Sequence, residues 1–218
     1  MSPLSCVIFD LDGTLAQTNE LIFATFNHVA ERYVKKVFTP SEITAMFGPP
    51  EEVAIERLVG TDRTAEAMAD FYDFYEHHHP GMADLYGGIR ELLQDLKARG
   101  MLLAVFTGKG RRTAVISLEK MGISHLFDIV VTGSDVANYK PSADGIRMVM
   151  KAFGLKAEEV LMVGDSVSDV KAAHEAGIPV AAVLWDSYGR DRVLEMDVDY
   201  RFHSVEEFSR WLKDATAR

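Results

Sequence analysis

This sequence predicts an α/β fold: a parallel sheet with helices on both faces, interrupted after its first strand by an all-helical unit. Three observations carry the prediction: a buried-strand signal at the N-terminus, a long stretch with helix signals and no convincing strand, and a regular alternation of the two afterwards. The first strand is the apolar run Val7-Ile8-Phe9, which runs into the glycine-containing turn Asp10-Leu11-Asp12-Gly13-Thr14. From about Gln17 to Met82 the pattern is helical. Ile22, Phe26, Val29 and Tyr33 recur on one helical face, and Thr39-Pro40-Ser41-Glu42 is a capping box with Pro at the first helical position. Met68, Phe71, Tyr72 and Tyr75 form a further stripe, which His79-Pro80-Gly81 is expected to end.

Beyond Tyr86-Gly87-Gly88 the rhythm changes. Ile89, Leu92, Leu93 and Leu96 make a helix face closed by Gly100, and Met101 to Phe106 reads as a fully buried strand. A helix through Val115 and Ile116 to Gly122 precedes the strand Ile129-Val130-Val131. Ile146, Val149, Met150 and Phe153 define the next helix, stopped by Gly154, before the strand Val160-Leu161-Met162-Val163. A helix ending near Gly177, the strand Val180-Ala181-Ala182-Val183 and a last helix with Ser204 and Glu207 as its capping box complete the chain. The expected organisation is therefore an α/β core of residues 1–15 and 83–218, with the helical unit inserted over 16–82.

The 218 residues carry 23 Lys and Arg against 33 Asp and Glu, a net charge of −10 with histidine neutral. Such a surface repels a phosphate backbone, so nucleic acid is not an expected partner. The one cysteine, Cys6, lies in an apolar run and is expected as a buried core thiol. No apolar stretch approaches the roughly 20 residues a membrane helix needs, and Asp10 and Asp12 interrupt the N-terminus before a signal-peptide core forms. A cytoplasmic protein without a membrane partner is the expectation; oligomeric state is not legible.

Ligands of open α/β sheets bind beyond the carboxyl ends of the strands, where a unit inserted after the first strand can roof the site. Asp10 and Asp12 follow the first predicted strand, Thr107 and Gly108 the second, and Asp165, Ser166 and Asp169 the fourth; Lys140 follows the third at more distance. Clustered carboxylates repel, by about 4 kcal/mol for unit charges about 4 Å apart at an effective dielectric of 20. A cation is required. With no Cys or His in the set, oxygen ligands point to Mg²⁺. Mg²⁺, one Lys, one Thr hydroxyl and backbone N–H groups at Gly108 suit the oxygens of a phosphoryl group, which makes a small phosphorylated metabolite the expected partner. Asp10 suits the nucleophile, because a carboxylate needs no activating base to form an aspartyl phosphate. Asp12, two residues along the turn, suits the acid that protonates the leaving oxygen and the base that later deprotonates water.

The segments Phe9-Asp10-Leu11-Asp12-Gly13-Thr14-Leu15, Thr107-Gly108-Lys109, Lys140-Pro141 and Gly164-Asp165-Ser166-Val167-Ser168-Asp169 resemble, in order, the four motifs of the haloacid dehalogenase superfamily. The insertion resembles that family's small helical cap, so the resemblance covers essentially the whole chain. It implies a Rossmann-like core and an Mg²⁺-dependent phosphatase or phosphomutase. It also implies Asp10 as nucleophile, Asp12 as acid/base, Thr107 and Lys140 on phosphate, Mg²⁺ on Asp10, the Asp12 carbonyl and Asp165, and Asp169 behind them or as a variable ligand. True dehalogenases lack the second Asp, so Asp12 argues against that activity. The nearest resemblance is to phosphoglycolate phosphatases, while Thr18-Asn19-Glu20-Leu21 with Gly48-Pro49-Pro50 resembles the related bacterial pyrophosphatases; Gln17 stands where many relatives carry an acid. A sugar phosphomutase and a phospho-accepting signalling domain are the alternatives, and Asp12 and the insertion argue against the second.

Other features are less specific. Lys109-Gly110-Arg111-Arg112 reads equally as a lure for an anionic substrate or a solvated helix start. His77-His78-His79 is expected as helix-end surface or packing rather than a metal site, because adjacent residues diverge around a helix. Gly48-Pro49-Pro50 with Arg57 or Arg63 are candidates for substrate choice, and Ala16 to Asn19 and Met82 to Leu85 for hinges.

Overall fold

A computed structural model describes residues 4–216. Its strands are β1 (Cys6–Phe9), β2 (Ala16–Gln17), β3 (Asp84–Leu85), β4 (Leu102–Phe106), β5 (Ile129–Val131), β6 (Val160–Gly164), β7 (Val180–Val183) and β8 (Tyr200–Phe202). The α-helices are α1 (Asn19–Val34), α2 (Pro40–Thr44), α3 (Glu51–Val59), α4 (Thr61–Met82), α5 (Ile89–Ala98), α6 (Arg111–Lys120), α7 (Asp144–Phe153), α8 (Val167–Ala176), α9 (Arg190–Leu194) and α10 (Val205–Ala215).

Six strands form one parallel sheet in the order β5-β4-β1-β6-β7-β8. All four residues of β1 are buried, because the strand is covered on both faces. Val7 and Phe9 point into one layer, with Leu92 and Leu93 of α5, Leu118 of α6 and Phe208 of α10. Cys6 and Ile8 point into the other, with Ile146 of α7, Val170 of α8 and Val193 of α9. Burial pushes the Cys6 thiol up to about 12, so it is an inert core group. Gly154 and Gly177 close α7 and α8 in the left-handed conformation, as expected from their positions.

Two features differ from the sequence expectation. The sheet has a sixth strand, β8, whose Tyr200 and Arg201 are exposed and only Phe202 buried; an edge strand of three residues has no apolar run to show. At α10 the Ser204 hydroxyl accepts from Glu207 N, but the Glu207 carboxylate accepts from His203 N, so only the hydroxyl half of the expected box forms at Ser204. The segments expected as hinges contain a short antiparallel ribbon, β2 with β3, with Ala16 opposite Leu85 and Gln17 opposite Asp84.

The inserted helices α1 to α4 share their own apolar cluster, including Leu21, Phe26, Ile43, Ile55, Phe71 and Tyr75, which Ile116 of α6 joins. The Thr39–Glu42 capping box of α2 is formed as expected. α4 runs through Pro80 to Met82 rather than stopping at it. The turn that would have frayed is held from outside, since Ser117 of α6 meets both the Tyr75 hydroxyl at 2.8 Å and His79 Nε2 at 3.1 Å. Among the described residues no helix is long and apolar enough to cross a membrane.

Candidate active site

Since β1 lies between β4 and β6, the residues that follow these three strands, Asp10, Thr107 and Asp165, emerge side by side at one edge. The ladder continues into them: Asp10 N donates to Val163 O at 2.8 Å and Thr107 N to Val131 O at 3.1 Å. Gly13 then turns the chain with φ 79°, and a Cβ there would lie 2.6 Å from Asp165 Oδ2. Only glycine permits both the turn and the approach.

Lys140 comes from the loop between β5 and α7, yet its buried Nζ lies 2.7 Å from Asp10 Oδ1 and 2.6 Å from Asp169 Oδ1. It also stands 5.1 Å from the centre of the Phe106 ring. The other Asp169 oxygen accepts from Ser166 N at 3.0 Å and the Ser166 hydroxyl at 2.6 Å, the capping box of α8. Both Asp169 oxygens therefore have donors already.

Asp10, Asp165 and Asp169 each offer a carboxylate oxygen within 4.8 Å of the others. Burial pushes the Asp10 carboxyl up to about 7, with Lys140 pulling it down and Asp169 and Asp12 adding to the rise. Asp165 is pushed well above the usual carboxylate range, by burial first and then by Asp10 and Asp169. Burial opposes the charge on Lys140, but Asp10 and Asp169 win and hold its ammonium above the ordinary lysine range. One ammonium does not neutralise three buried carboxylates. A set of oxygen donors under that load, with no thiolate or imidazole in it, fits Mg²⁺.

The Asp12 carboxylate stands outside that trio. Its Oδ1 accepts from the Thr18 hydroxyl at 2.5 Å, and its Oδ2 lies 3.2 Å from Lys109 Nζ. Thr107, buried, accepts from Lys109 N at 3.2 Å. Over this loop sits Gly48-Pro49-Pro50: a Cβ on Gly108 would meet Gly48 O at 3.5 Å, and one on Gly133 would meet Pro50 Cγ at 2.8 Å.

Sequence reasoning missed one residue here and left another between two readings. Glu51, the first residue of α3, is buried and accepts from Gly110 N at 2.5 Å and the Thr113 hydroxyl at 2.6 Å. Lys109 lies 3.6 Å from Glu51 Oε1, with its side chain only 3% exposed, so it is not part of a solvated helix start. The rest of the basic cluster is tied elsewhere, Arg111 to Asp135 and Arg112 over the Tyr72 ring. Arg63 is spent on the carbonyls of Tyr33 and Val59. The histidine run packs, with His78 stacked on Phe74 and His79 against Ser117. A cavity of about 490 Å³ beside the ribbon, lined by Gln17, His79, Asp84 and Arg90, lies apart from the carboxylates.

Residues 7–183 match the family model of the haloacid dehalogenase-like hydrolases. The chain is 35% identical over 202 residues to pyrophosphatase PpaX of Halalkalibacterium halodurans, spanning 93% of this chain and 94% of that protein. It is 32% identical over 187 residues to pyrophosphatase PpaX of Bacillus cereus, spanning 86% of each. Among solved structures it superposes with a TM-score of 0.83 on a predicted phosphoglycolate phosphatase from Haemophilus somnus, at 25% identity over 98% of this chain and 99% of that one. A haloacid dehalogenase-like family protein from Streptococcus pneumoniae gives 0.79 at 26% identity, over 97% of this chain and all of the other.

Proposed function

The chain belongs to the haloacid dehalogenase-like hydrolases, and we propose that within them it is an Mg²⁺-dependent phosphatase that hydrolyses a small phosphorylated metabolite through an aspartyl phosphate. The observation that carries this reading is the buried bridge from Lys140 to Asp10 and Asp169, set beside Asp165 at the carboxyl ends of β1 and β6.

In the first half-reaction Asp10 Oδ attacks phosphorus, and Asp12 gives a proton to the leaving oxygen as its bond to phosphorus breaks. In the second, water attacks the phosphorus, Asp12 takes the water's proton, and the Asp10–phosphorus bond breaks to release phosphate. Lys140, the Thr107 hydroxyl and the backbone N–H at Gly108 hold the phosphoryl oxygens. Asp10, Asp165 and the Asp12 main-chain carbonyl would hold Mg²⁺, which would supply positive charge against the carboxylates and the phosphoryl group. Asp169 acts through Lys140, whose buried Nζ lies 2.6 Å from its Oδ1. The inserted helices serve as the cap, with Gly48-Pro49-Pro50 over the phosphate loop excluding bulk water.

A phosphoglycolate-like monoester is the first substrate class. Inorganic pyrophosphate is the second, favoured by the extent of the match to pyrophosphatases. Purified protein with Mg²⁺ is assayed against phosphoglycolate, pyrophosphate, sugar phosphates and nucleoside monophosphates by kcat/KM. Asp10→Asn is expected to abolish release of phosphate from every substrate; turnover at the wild-type rate would end the proposal. Isomer formation in place of free phosphate would identify a mutase.

A further inference from the structure

Lys109 is a buried cation between carboxylates from two parts of the chain: Asp12 Oδ2 lies 3.2 Å from its Nζ, and Glu51 Oε1, from the inserted helices, 3.6 Å. Its Nζ also stands 5.0 Å from the centre of the Tyr75 ring on α4. Glu51 is fixed in turn by Gly110 N and the Thr113 hydroxyl at the start of α6. The other Asp12 oxygen is taken by Thr18. The two buried lysines of the site thus divide the work, Lys140 serving the nucleophile and Lys109 serving Asp12.

A proton donor contributes only while its oxygen faces the leaving group, and a carboxyl group on a turn rotates unless something holds it. Lys109 and Thr18 hold both Asp12 oxygens. One of these holders is itself seated by a side chain of α3.

We propose that Lys109 is a positioning residue for Asp12 and that Glu51 sets Lys109 in place, so that the acid/base group is oriented only while the inserted helices sit on the core. This rests on Asp12 being the acid/base.

The test compares phosphoglycolate, whose alkoxide needs a proton to depart, with p-nitrophenyl phosphate, whose phenolate does not. Wild type, Asp12→Asn, Lys109→Met, Lys109→Arg and Glu51→Gln are assayed with Mg²⁺, and the ratio of the two kcat/KM values is read, since kcat/KM covers the steps up to departure of the leaving group. In Lys109→Met the alkyl-to-aryl ratio is expected to fall by about tenfold or more, part of the roughly 10²-fold that general acid catalysis supplies. Lys109→Arg recovers part of the ratio, and Glu51→Gln lowers it in the same direction by a smaller factor. An unchanged ratio in Lys109→Met, or a loss confined to KM, overturns the proposal. Should Lys109→Met show no cooperative melt, the Glu51→Gln ratio decides alone: a fall supports the proposal and an unchanged value overturns it. Asp12→Asn tells the two failures apart, because an unchanged ratio there removes the acid role itself.

Discussion

Withdrawing Mg²⁺ is expected to destabilise the protein strongly at pH 8 and barely at pH 5. Burial holds the Asp10 carboxyl at about 7 and that of Asp165 well above its usual range. Each is raised above its unfolded value, so the unfolded chain releases these protons first and folding stability falls as pH climbs from about 4 to 7. A divalent ion bound there would reverse that loss, because it takes the carboxylates in charged form. At pH 8 Asp10 is mostly ionised, and Mg²⁺ at 100 times its Kd stabilises by about 2.7 kcal/mol. For a chain of this length that is roughly 5–10 °C in Tm. At pH 5, two units below the Asp10 value, the ion must displace a proton and its affinity drops about 100-fold; the same Mg²⁺ concentration then yields about 0.4 kcal/mol, on the order of 1 °C. Asp165 adds to the difference in the same direction. Differential scanning calorimetry with Mg²⁺ and with EDTA at the two pH values measures it. Equal Mg²⁺ gains at both would refute the argument that the ion replaces protons on buried carboxylates.

Two glycines carry the remaining predictions. At Gly164 a Cβ would lie 2.3 Å from Asp169 Cγ, so Gly164→Ala displaces the carboxylate that fixes Lys140; kcat is expected to fall about tenfold or more, with an overpacking cost of about 1–3 kcal/mol in the melt. Wild-type kcat would mean that Asp169 need not be held. At Gly145 a Cβ would lie 2.2 Å from Phe106 Cε2, and Gly145→Ala is expected to destabilise by a similar amount, with Phe106→Leu in the same chain recovering more than half. Additive losses in that double-mutant cycle would show that the clash is not with the ring.

What was legible in the sequence followed the length of each signal. β1, β4, β6 and β7 are buried on both faces and read as continuous apolar runs, so the residues after them could be placed at one sheet edge. β8 has three residues and the β2–β3 ribbon two in each strand, too few for a period of two to show. Lys140 was readable as a cation for the site, but its bonds to Asp10 and Asp169 depend on how the loop after β5 returns across the sheet. Glu51 escaped, and the buried partners of Lys109 were not legible, for a further reason. Neither residue shows its contacts until the inserted helices are seated, and no local pattern records that seating. The Gly-Pro-Pro directly before Glu51 was the one available signal, because it marked a stiff loop rather than a charge partner.

The charge at the site bears on the order in which the proposed metal and substrate would bind. Among the described residues, Asp12 and Glu51 pair with Lys109, Asp10 and Asp169 pair with Lys140, and Asp165 lies beside them, so this set carries a formal excess of three negative charges if all are ionised. A phosphate ester brings about two more, into surroundings where each unit pair about 4 Å apart costs about 4 kcal/mol. Two lysines cannot carry that load, and both are already committed to carboxylates. A divalent cation would lower the excess to one and leave Lys140 able to share its donors between Asp10 and an incoming oxygen. In the proposed reaction, entry of an anionic substrate before the cation is electrostatically uphill, and the division of labour between the lysines follows that order: Lys140 with a bound cation would admit the phosphoryl group, while Lys109 would remain with Asp12 on the side of the leaving oxygen.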